Sequence, residues 1–272
     1  MKNKKIVLLA GKGESTNIVF NSINKNFGIY SAIIEEKEST KVFLKRRIRK
    51  LGIVTVIGQI IFQILIAKPL NYFSKKRKQE IINHNLLDLA NIPNEKINAV
   101  TSINADTTIS LLKNINPDII IVNGTRIISK KVLSSVNCIF INTHAGITPK
   151  YRGVHGTYWA LVNNDIENSG VTVHLVDTGI DTGNIINQAT VTTTKNDNFS
   201  TYPLLQLSEG LKILNTAIQD FIDNSLVTQK EKLTESKLWY HPTIWEYLYY
   251  RITKGVTGCG LENLPLNSKR SS

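Results

Sequence analysis

The chain has 272 residues, of which 42% are hydrophobic and 20% are charged. This length suits one large α/β domain, or one domain with a small appendage, and the composition excludes a chain that is disordered throughout. The net charge of +12 predicts an anionic partner: a phosphorylated metabolite, a polyanionic cofactor, an acidic membrane surface or nucleic acid. A solvated, lysine-rich surface is the alternative. Nucleic acid is disfavoured, because the sequence has no zinc-finger spacing, basic heptad region or aromatic RNA-binding signature.

The cysteines and the N-terminus predict the compartment. Cys138 and Cys259 have no spacing typical of a zinc site or a disulfide scaffold, which indicates a reducing environment. The N-terminal apolar run is short and leads into a glycine-rich turn, so it predicts a first strand rather than a secretory signal. We therefore expect a cytoplasmic protein.

The elements follow one another in the order of a doubly wound sheet. Residues 4–10 ("KKIVLLA") are a continuous β-branched run typical of a buried strand; "GKGEST" turns the chain, a helical spacing follows, and residues 28–36 predict a second strand. Further predicted helices cover 107–117, 155–165 and 202–223, with a short one at "KKVLSS", and further strands cover 118–124, 138–144, 170–176 and 184–191, the last two pairing with each other. The pattern predicts an α/β fold with a Rossmann-like, mainly parallel sheet.

A helical insertion at about residues 37–95 interrupts this order. It contains the basic run 45–50, the apolar run 51–67, the basic run 75–78 and an amphipathic helix at 79–90. The apolar run is short for a membrane span, and its polar residues Thr55, Gln59 and Gln63 recur at helical spacing. We expect this helix to pack on the core or on a second copy in a homodimer. Peripheral docking on an anionic membrane through residues 45–78 is the alternative.

The chain divides after the predicted helix at 202–223. Residues 228–272 form a C-terminal extension whose first part, "KLWYHPTIWEYLYYRITKG", is rich in Trp and Tyr. We expect residues 1–227 to form the catalytic domain. The aromatic extension could stack on a base or contribute to a dimer interface.

The candidate active site starts from Asn142 and His144 at the end of the predicted strand 138–144. Residues i and i+2 of a strand point to one face, and ligands of open α/β sheets bind at the carboxyl ends of the strands. Asn supplies an amide donor, and His an acid or base near neutral pH. Asp177 and Asp181, in the glycine-rich loop "DTGIDTGNII", offer the carboxylate that would orient the histidine.

These motifs resemble the formyltransferases that use 10-formyltetrahydrofolate. That family includes glycinamide ribonucleotide transformylase, methionyl-tRNA formyltransferase and the amino-sugar N-formyltransferases. Its signature is Asn-x-His, a Pro-x-x-x-Gly turn and an Asp-bearing loop; Asn142, His144, Pro149, Gly153 and Asp181 match it. The resemblance covers roughly residues 1–195, with a gap at the insertion.

The resemblance implies a role for each matched residue. Asn142 and protonated His144 would stabilise the oxyanion formed when an amine attacks the formyl carbon, and His144 would move a proton directly or through a water held by Asp181. No metal is required. The folate pocket would be lined by a segment and an aspartate that match the family's folate-contacting loops: Arg126, Ile127, Ile128 and Asp177. Asp177 is expected to shape its loop rather than to act as the acid. For one of the two isoleucines, packing inside an ordinary βα turn is the alternative.

The acceptor site has two weaker candidates. Gly11, Lys12 and Gly13 resemble the phosphate-binding turn of the ribonucleotide branch, although a plain tight turn explains them nearly as well. His174 lies on the strand before the Asp181 loop, where the ribonucleotide branch also has a histidine facing the site. A packed strand histidine is the equal alternative.

The choice of acceptor rests on departures from the family pattern. The sequence reads "HAGITP" where the ribonucleotide and tRNA branches usually read "HPSLLP", and the predicted extension is shorter than the C-terminal β-barrel of the tRNA branch. We expect a nucleotide-linked amino sugar, used in surface polysaccharide such as the O-antigen of lipopolysaccharide. The alternatives are a phosphoribosylglycinamide formyltransferase, a 10-formyltetrahydrofolate hydrolase and a non-catalytic folate- or nucleotide-binding protein. The missing third Gly of a dinucleotide fingerprint disfavours an oxidoreductase.

Overall fold

A seven-stranded sheet forms the centre of the molecule in a computed structural model, which describes residues 4–230 and 235–254. Its strands run in the order β3-β2-β1-β4-β5-β7-β8; the first five are parallel, and β7 is antiparallel to both of its neighbours, β5 and β8. They are β1 Ile6–Gly11, β2 Ser31–Glu35, β3 Ile97–Val100, β4 Ile119–Asn123, β5 Ile139–His144, β7 Gly170–Leu175 and β8 Ile185–Thr190. The predicted α/β fold and the pairing of the last two strands are confirmed. The short, half-polar β3 was not predicted.

Helices cover both faces of this sheet. One layer contains α1 (Glu14–Phe27) and α9 (Tyr202–Ile222), and the opposite layer contains α6 (Asp106–Ile115) and α7 (Lys130–Leu133). The strands β1 and β4 are buried on both sides, which explains their continuous runs of Ile, Val and Leu. This arrangement brings the carboxyl ends of the parallel strands to a single edge.

The insertion folds into four consecutive helices. These are α2 (Thr40–Leu51), α3 (Ile53–Phe62), α4 (Lys68–Phe73) and α5 (Lys75–His84), with a π-helical turn between α3 and α4. The amphipathic helix expected at 79–90 lies earlier in the chain. Its C-terminal half is not helical, because the chain turns at 85–86 and Leu86 has a left-handed backbone.

The apolar helix of the insertion is longer than the sequence indicated. Ile53–Phe73 is continuous, and within the described residues it is the one helix long and apolar enough to cross a membrane, by length and composition. Pro69 does not end it, because proline is tolerated in the first turn of a helix segment and the π-turn precedes it. The length argument against a span is therefore wrong. Its packing, rather than its length, therefore distinguishes a helix packed on the protein from one that contacts a membrane.

The extension and the insertion pack on each other. After α9 the chain forms β9 (Leu238–Trp239), which pairs in parallel with the short strand β6 (Arg152–Gly153), and then α10 (Ile244–Lys254). The polar stripe of α3 faces this segment: Gln59 Nε2 donates to the His241 carbonyl at 2.7 Å, and Gln63 Nε2 lies 3.2 Å from His241 Nδ1. One face of the apolar helix is thus fixed to the protein. The remaining helix, α8 (Gly156–Val162), shares an aromatic core with both segments.

Candidate active site

The carboxyl end of β5 holds Asn142 and His144 on one face of the sheet, as the spacing predicts. The antiparallel register places His174 of β7 opposite Asn142, and Asn142 Nδ2 lies 3.2 Å from His174 Nε2. The other ring nitrogen of His174 donates to the Leu175 carbonyl at 2.7 Å, so in the neutral ring Nε2 is the acceptor of the Asn142 amide. One N–H of Asn142 is therefore held in place, and the second is available to a ligand. His174 acts here as a positioning residue.

Asp181 is brought to His144 by the loop between β7 and β8. Its Oδ2 lies 3.2 Å from His144 Nδ1 and accepts the Gly153 backbone N–H at 3.0 Å, while Oδ1 lies 3.7 Å from His174 Nε2. The residue has a left-handed backbone, with a φ of 51°, a conformation that Asp tolerates better than most residues. The loop thus delivers one carboxylate to two histidines.

The "HAGITP" turn holds the other side of the His144 ring. His144 Nε2 lies 2.7 Å from the Tyr151 carbonyl oxygen, which the turn with its cis Thr148–Pro149 bond brings back onto the ring. Gly146 is required for this approach, because a Cβ there would lie 2.2 Å from the Tyr151 oxygen and 2.8 Å from His144 Nε2. Both ring nitrogens therefore face acceptors.

Burial and pairing set the charges of this group. Burial lowers the pKa of His144 below its usual value, against the opposing effects of the Asp181 charge and the Tyr151 carbonyl. Burial would raise the pKa of Asp181, but its interaction with His174, the charge of His144 and the Gly153 N–H together lower it. At neutral pH the carboxylate is ionised and the imidazole is neutral. A neutral ring has only one N–H, but its two nitrogens face two acceptors. A proton added to the second nitrogen would therefore have a hydrogen-bond acceptor already in place.

A cavity of about 350 Å³ opens onto these residues. Its walls come from the loop after β4, the end of β5, the turn at β6 and the loop after β7. It is lined by all of the predicted catalytic and folate-contacting residues together with His174: Arg126, Ile127, Ile128, Asn142, His144, His174, Asp177 and Asp181. Residues that are up to 55 positions apart in sequence thus meet in one space.

The loop after β4 is anchored through a residue that the sequence did not single out. Glu35, which is buried at the end of β2, accepts the backbone N–H groups of Ile103 and Arg126 and forms an ion pair of 3.4 Å with the Arg126 guanidinium. Ile128 packs in the core, whereas Ile127 is 60% exposed. Ile127 is thus the isoleucine that a ligand can contact. An acid at the end of the predicted second strand was the available signal for Glu35.

Asp177 shapes the Asp181 loop, as the sequence suggested. Its Oδ1 accepts the Gly179 N–H at 2.9 Å and the Thr182 hydroxyl at 2.8 Å. A second support, which the sequence did not reveal, is Arg152, whose Nη1 donates to the Ile180 carbonyl at 3.2 Å. These contacts hold the loop on both sides of the Asp181 carboxylate.

The predicted phosphate turn lies near this site but opens to a different space. Gly11 is close to the loop after β4, since a Cβ there would lie 2.5 Å from the Gly124 carbonyl oxygen. Lys12 and Gly13 line a separate cavity of about 740 Å³ beside α1, together with Glu36 and other residues. The structure therefore places this turn at the carboxyl edge of the sheet but not in the cavity that contains His144. In the described part of the chain no His, Cys, Asp and Glu cluster could hold a metal ion.

The site's order of motifs agrees with a known family. A family model described as formyl transferase matches residues 61–218, more than half of the chain. The chain belongs to the formyl transferase family. Among curated formyl transferase relatives, the methionyl-tRNA formyltransferase of Caldanaerobacter subterraneus is 29% identical over 154 residues, covering 56% of this chain and 48% of the relative. That of Agathobacter rectalis is 44% identical over 84 residues, covering 30% and 27%. The chain thus spans about half or less of the length of these relatives.

Solved formyl transferase structures share the fold. A sugar N-formyltransferase from a Shewanella species aligns with a TM-score of 0.53 at 12% identity, covering 85% of this chain and 75% of that one. An N-formyltransferase from Helicobacter canadensis, solved with folinic acid and dTDP-3-aminofucose, gives 0.51 at 20% identity, covering 86% and 70%. The phosphoribosylglycinamide formyltransferase of Streptococcus pneumoniae gives 0.52 at 18%, covering 80% and 99%. The resemblance read from the sequence is confirmed at the level of family and fold.

Proposed function

We propose that the protein transfers the formyl group of 10-formyltetrahydrofolate to the amine of a nucleotide-linked amino sugar. The observation that carries the proposal is the meeting of Asn142, His144 and Asp181 in one cavity, with His144 held between two acceptors. Family membership supports the reaction type. Use of the product in surface polysaccharide belongs to the same proposal.

The cavity suits a flat, hydrogen-bonding donor. The loops after β4 and after β7 both line it, the first with Gly124 and Thr125 and the second with Gly179 and Ile180. The exposed Ile127 adds an apolar contact next to the Arg126 backbone. When bound there, 10-formyltetrahydrofolate supplies the formyl group and leaves as tetrahydrofolate.

The residues of the cavity can then carry the transfer. Asn142 directs its available N–H at the formyl oxygen and stabilises the oxyanion that forms when the amine nitrogen attacks the formyl carbon. His144 takes the proton released by that nitrogen, and Asp181 stabilises the resulting imidazolium across 3.2 Å. His144 returns the proton to the folate nitrogen as its bond to the formyl carbon breaks. The products are a formamide and tetrahydrofolate, and no net proton is consumed.

A basic groove beside the cavity supports an anionic ligand. The groove, of about 460 Å³, shares Thr125, Arg126 and Ile127 with the cavity and is completed by α2 and Tyr240. The guanidinium of Arg47 donates to Gln59 Oε1 at 2.8 Å, but its buried Nη2 has no partner. Lys50 lies over the Tyr240 ring at 5.4 Å. Within the described residues neither cation has an acidic partner, so the groove suits a pyrophosphate or the glutamyl carboxylates of a folate.

Two further acceptors have support of their own. The curated relatives are methionyl-tRNA formyltransferases, which favours the amine of a charged tRNA. A phosphoribosylglycinamide formyltransferase shares the fold. All three acceptors present a primary amine attached to a phosphorylated carrier, so the chemistry at His144 is the same.

The test is a panel of acceptors assayed with 10-formyltetrahydrofolate and the purified chain. Nucleotide-linked 3-amino and 4-amino sugars, phosphoribosylglycinamide and methionyl-tRNA are each incubated separately, and the formamide is detected by mass spectrometry. Formate released without an acceptor measures hydrolysis. His144→Ala should abolish the product, and His84→Ala, outside the cavity on α5, should not. Product with methionyl-tRNA alone would replace the amino-sugar proposal, and formate alone would replace transfer by hydrolysis.

The groove has a test that separates donor from acceptor. Lys50→Glu should raise KM for whichever substrate places its anion there by about tenfold, with kcat little changed. A rise confined to polyglutamylated folate assigns the groove to the donor, whereas a rise confined to the nucleotide substrate assigns it to the acceptor. No change in either KM would remove the groove from the site.

A further inference from the structure

The apolar helix of the insertion leaves one face uncovered. Its inward face carries Val56, Gln59 and Phe62, which are buried against the protein's own core and extension. Its outward face carries large aliphatic and aromatic side chains at intervals of three or four residues, among them Val54 at 67%, Leu65 at 61% and Phe73 at 80% exposure. Ile57, Ile60 and Ile64 lie between them and are also exposed. A soluble protein rarely exposes so long an apolar stripe without a partner.

Helix α10 widens this face. Trp245 lies against Gly58 of α3, where any Cβ would lie 2.2 Å from its indole ring. Trp245, Leu248, Tyr249 and Ile252 are all exposed on α10 and recur at helical spacing. We call the exposed apolar surface of Ile53–Phe73 and α10 the apolar face. It contains Trp and Tyr side chains, which favour the boundary between water and lipid.

The positive charge of the chain is concentrated in the segment that carries this apolar helix. Residues 40–78 contain eleven Lys and Arg and no Asp or Glu. Since the net charge of the whole chain is +12, the remainder is close to neutral. The cations lie mainly on α2 and at the start of α5, before and after the apolar helix in the chain. Arg46 and Arg77 among them form ion pairs with Glu38 and Asp197. An apolar stripe flanked by basic residues matches a lipid surface with anionic headgroups.

We propose that the apolar face docks in the plane of an anionic lipid bilayer. In-plane docking follows from the packing, because a span would require the buried polar face with Gln59 and Gln63 to leave His241. Nucleic acid would use the cations but has no use for the exposed aliphatic residues between them. A second copy of the chain would meet the same positive charge and be repelled. The proposal is independent of the formyl acceptor.

Docking would also place the proposed active site beside the bilayer. We call the Lys and Arg residues of α2 and of the start of α5 the basic flank. Helix α2 contributes exposed cations to it, and it also contributes Arg47 and Lys50 to the groove next to the proposed active site. The groove would then open near the headgroups. The basic residues on α2 outside the groove, such as Lys45 and Arg49, are available for docking alone.

The test is flotation of the full chain with vesicles of phosphatidylcholine, with and without phosphatidylglycerol. We expect binding to the anionic vesicles only, released by high salt. Val54→Asp with Leu65→Asp, and separately Lys45→Glu with Arg49→Glu, should each reduce partitioning by about tenfold or more. Brominated lipid should quench the fluorescence of Trp245, and Trp245→Phe should remove most of that quenching.

Matched variants keep the test specific. Val227→Asp places a charge at an exposed apolar position outside the face, and Lys25→Glu with Lys113→Glu reverses two charges on α1 and α6; both should bind vesicles like the unaltered chain. Equal loss in these controls, or no binding to anionic vesicles at all, would overturn the proposal. Two other results would also overturn it. In one, Val54→Asp with Leu65→Asp dissociates a dimer in analytical ultracentrifugation but leaves vesicle binding unchanged. In the other, the basic flank binds tRNA and anionic vesicles do not compete.

Discussion

Replacing Asp181 by Asn tests the charge that is central to the site. The substitution keeps the shape of the side chain and an oxygen for the Gly153 N–H, but it removes the negative charge 3.2 Å from His144 Nδ1. Two unit charges at that separation interact by about 5 kcal/mol at an effective dielectric constant of about 20. The dipole of the amide and relaxation of the cavity replace part of this interaction energy. The substitution should therefore destabilise the transition state, in which His144 is an imidazolium, by about 3–4 kcal/mol.

The expected result is a fall in kcat of about 10²–10³-fold, with KM for the folate little changed. The pH profile provides a second reading. The Asp181 charge raises the pKa of His144, so its removal should move the acid limb of kcat/KM to lower pH. Formamide production by single-turnover mass spectrometry measures the rate, and thermal denaturation checks that the variant is folded.

The control for Asp181→Asn is Asp177→Asn. Asp177 lies in the same loop and holds Gly179 and Thr182, but it is not paired with His144. We expect it to lower kcat by less than about tenfold. If Asp181→Asn retained kcat within about threefold of the unaltered protein, or lost no more than Asp177→Asn, the carboxylate would not stabilise the histidine and the reasoning would fail.

Three other predictions concern stability and packing. Gly146→Ala should destabilise the fold by about 2–4 kcal/mol in urea unfolding, because its Cβ would lie 2.2 Å from the Tyr151 carbonyl oxygen; unchanged stability would mean that the turn relaxes. Burial lowers the pKa of His241 to about 4, below its value in the unfolded chain. The contribution of this buried imidazole to the free energy of unfolding is therefore fully present above about pH 6.5 and is lost as pH falls toward 4. Stability should drop by about 3 kcal/mol over that interval, and His241→Gln should show a smaller drop. Ile128→Ala should cost about 2–4 kcal/mol of stability, whereas Ile127→Ala should chiefly raise KM for the folate; the opposite pattern would exchange their roles.

Local sequence determined the fold class and the shared face of Asn142 and His144. The β-branched runs and the helical spacings reported the alternation of strands and helices, because those periods follow from backbone geometry alone. Asn142 and His144 followed from the same rule, since side chains two apart on a strand share a face. Asp181 required the family pattern, as nothing local distinguishes it from Asp177.

The tertiary structure decided the contacts between distant segments. The sequence could not reveal that Glu35 anchors the loop of Arg126 or that His174 holds the amide of Asn142, because strand order decides which strand ends are neighbours. Nor could it reveal that the Tyr151 carbonyl closes on His144, because that contact depends on the path of the turn between them. It also could not decide which face of the insertion is covered. Helical spacing marked Gln59 and Gln63 as a stripe, but only the folded extension, bringing His241 to them, shows that this polar stripe is inside and that the apolar side faces outward.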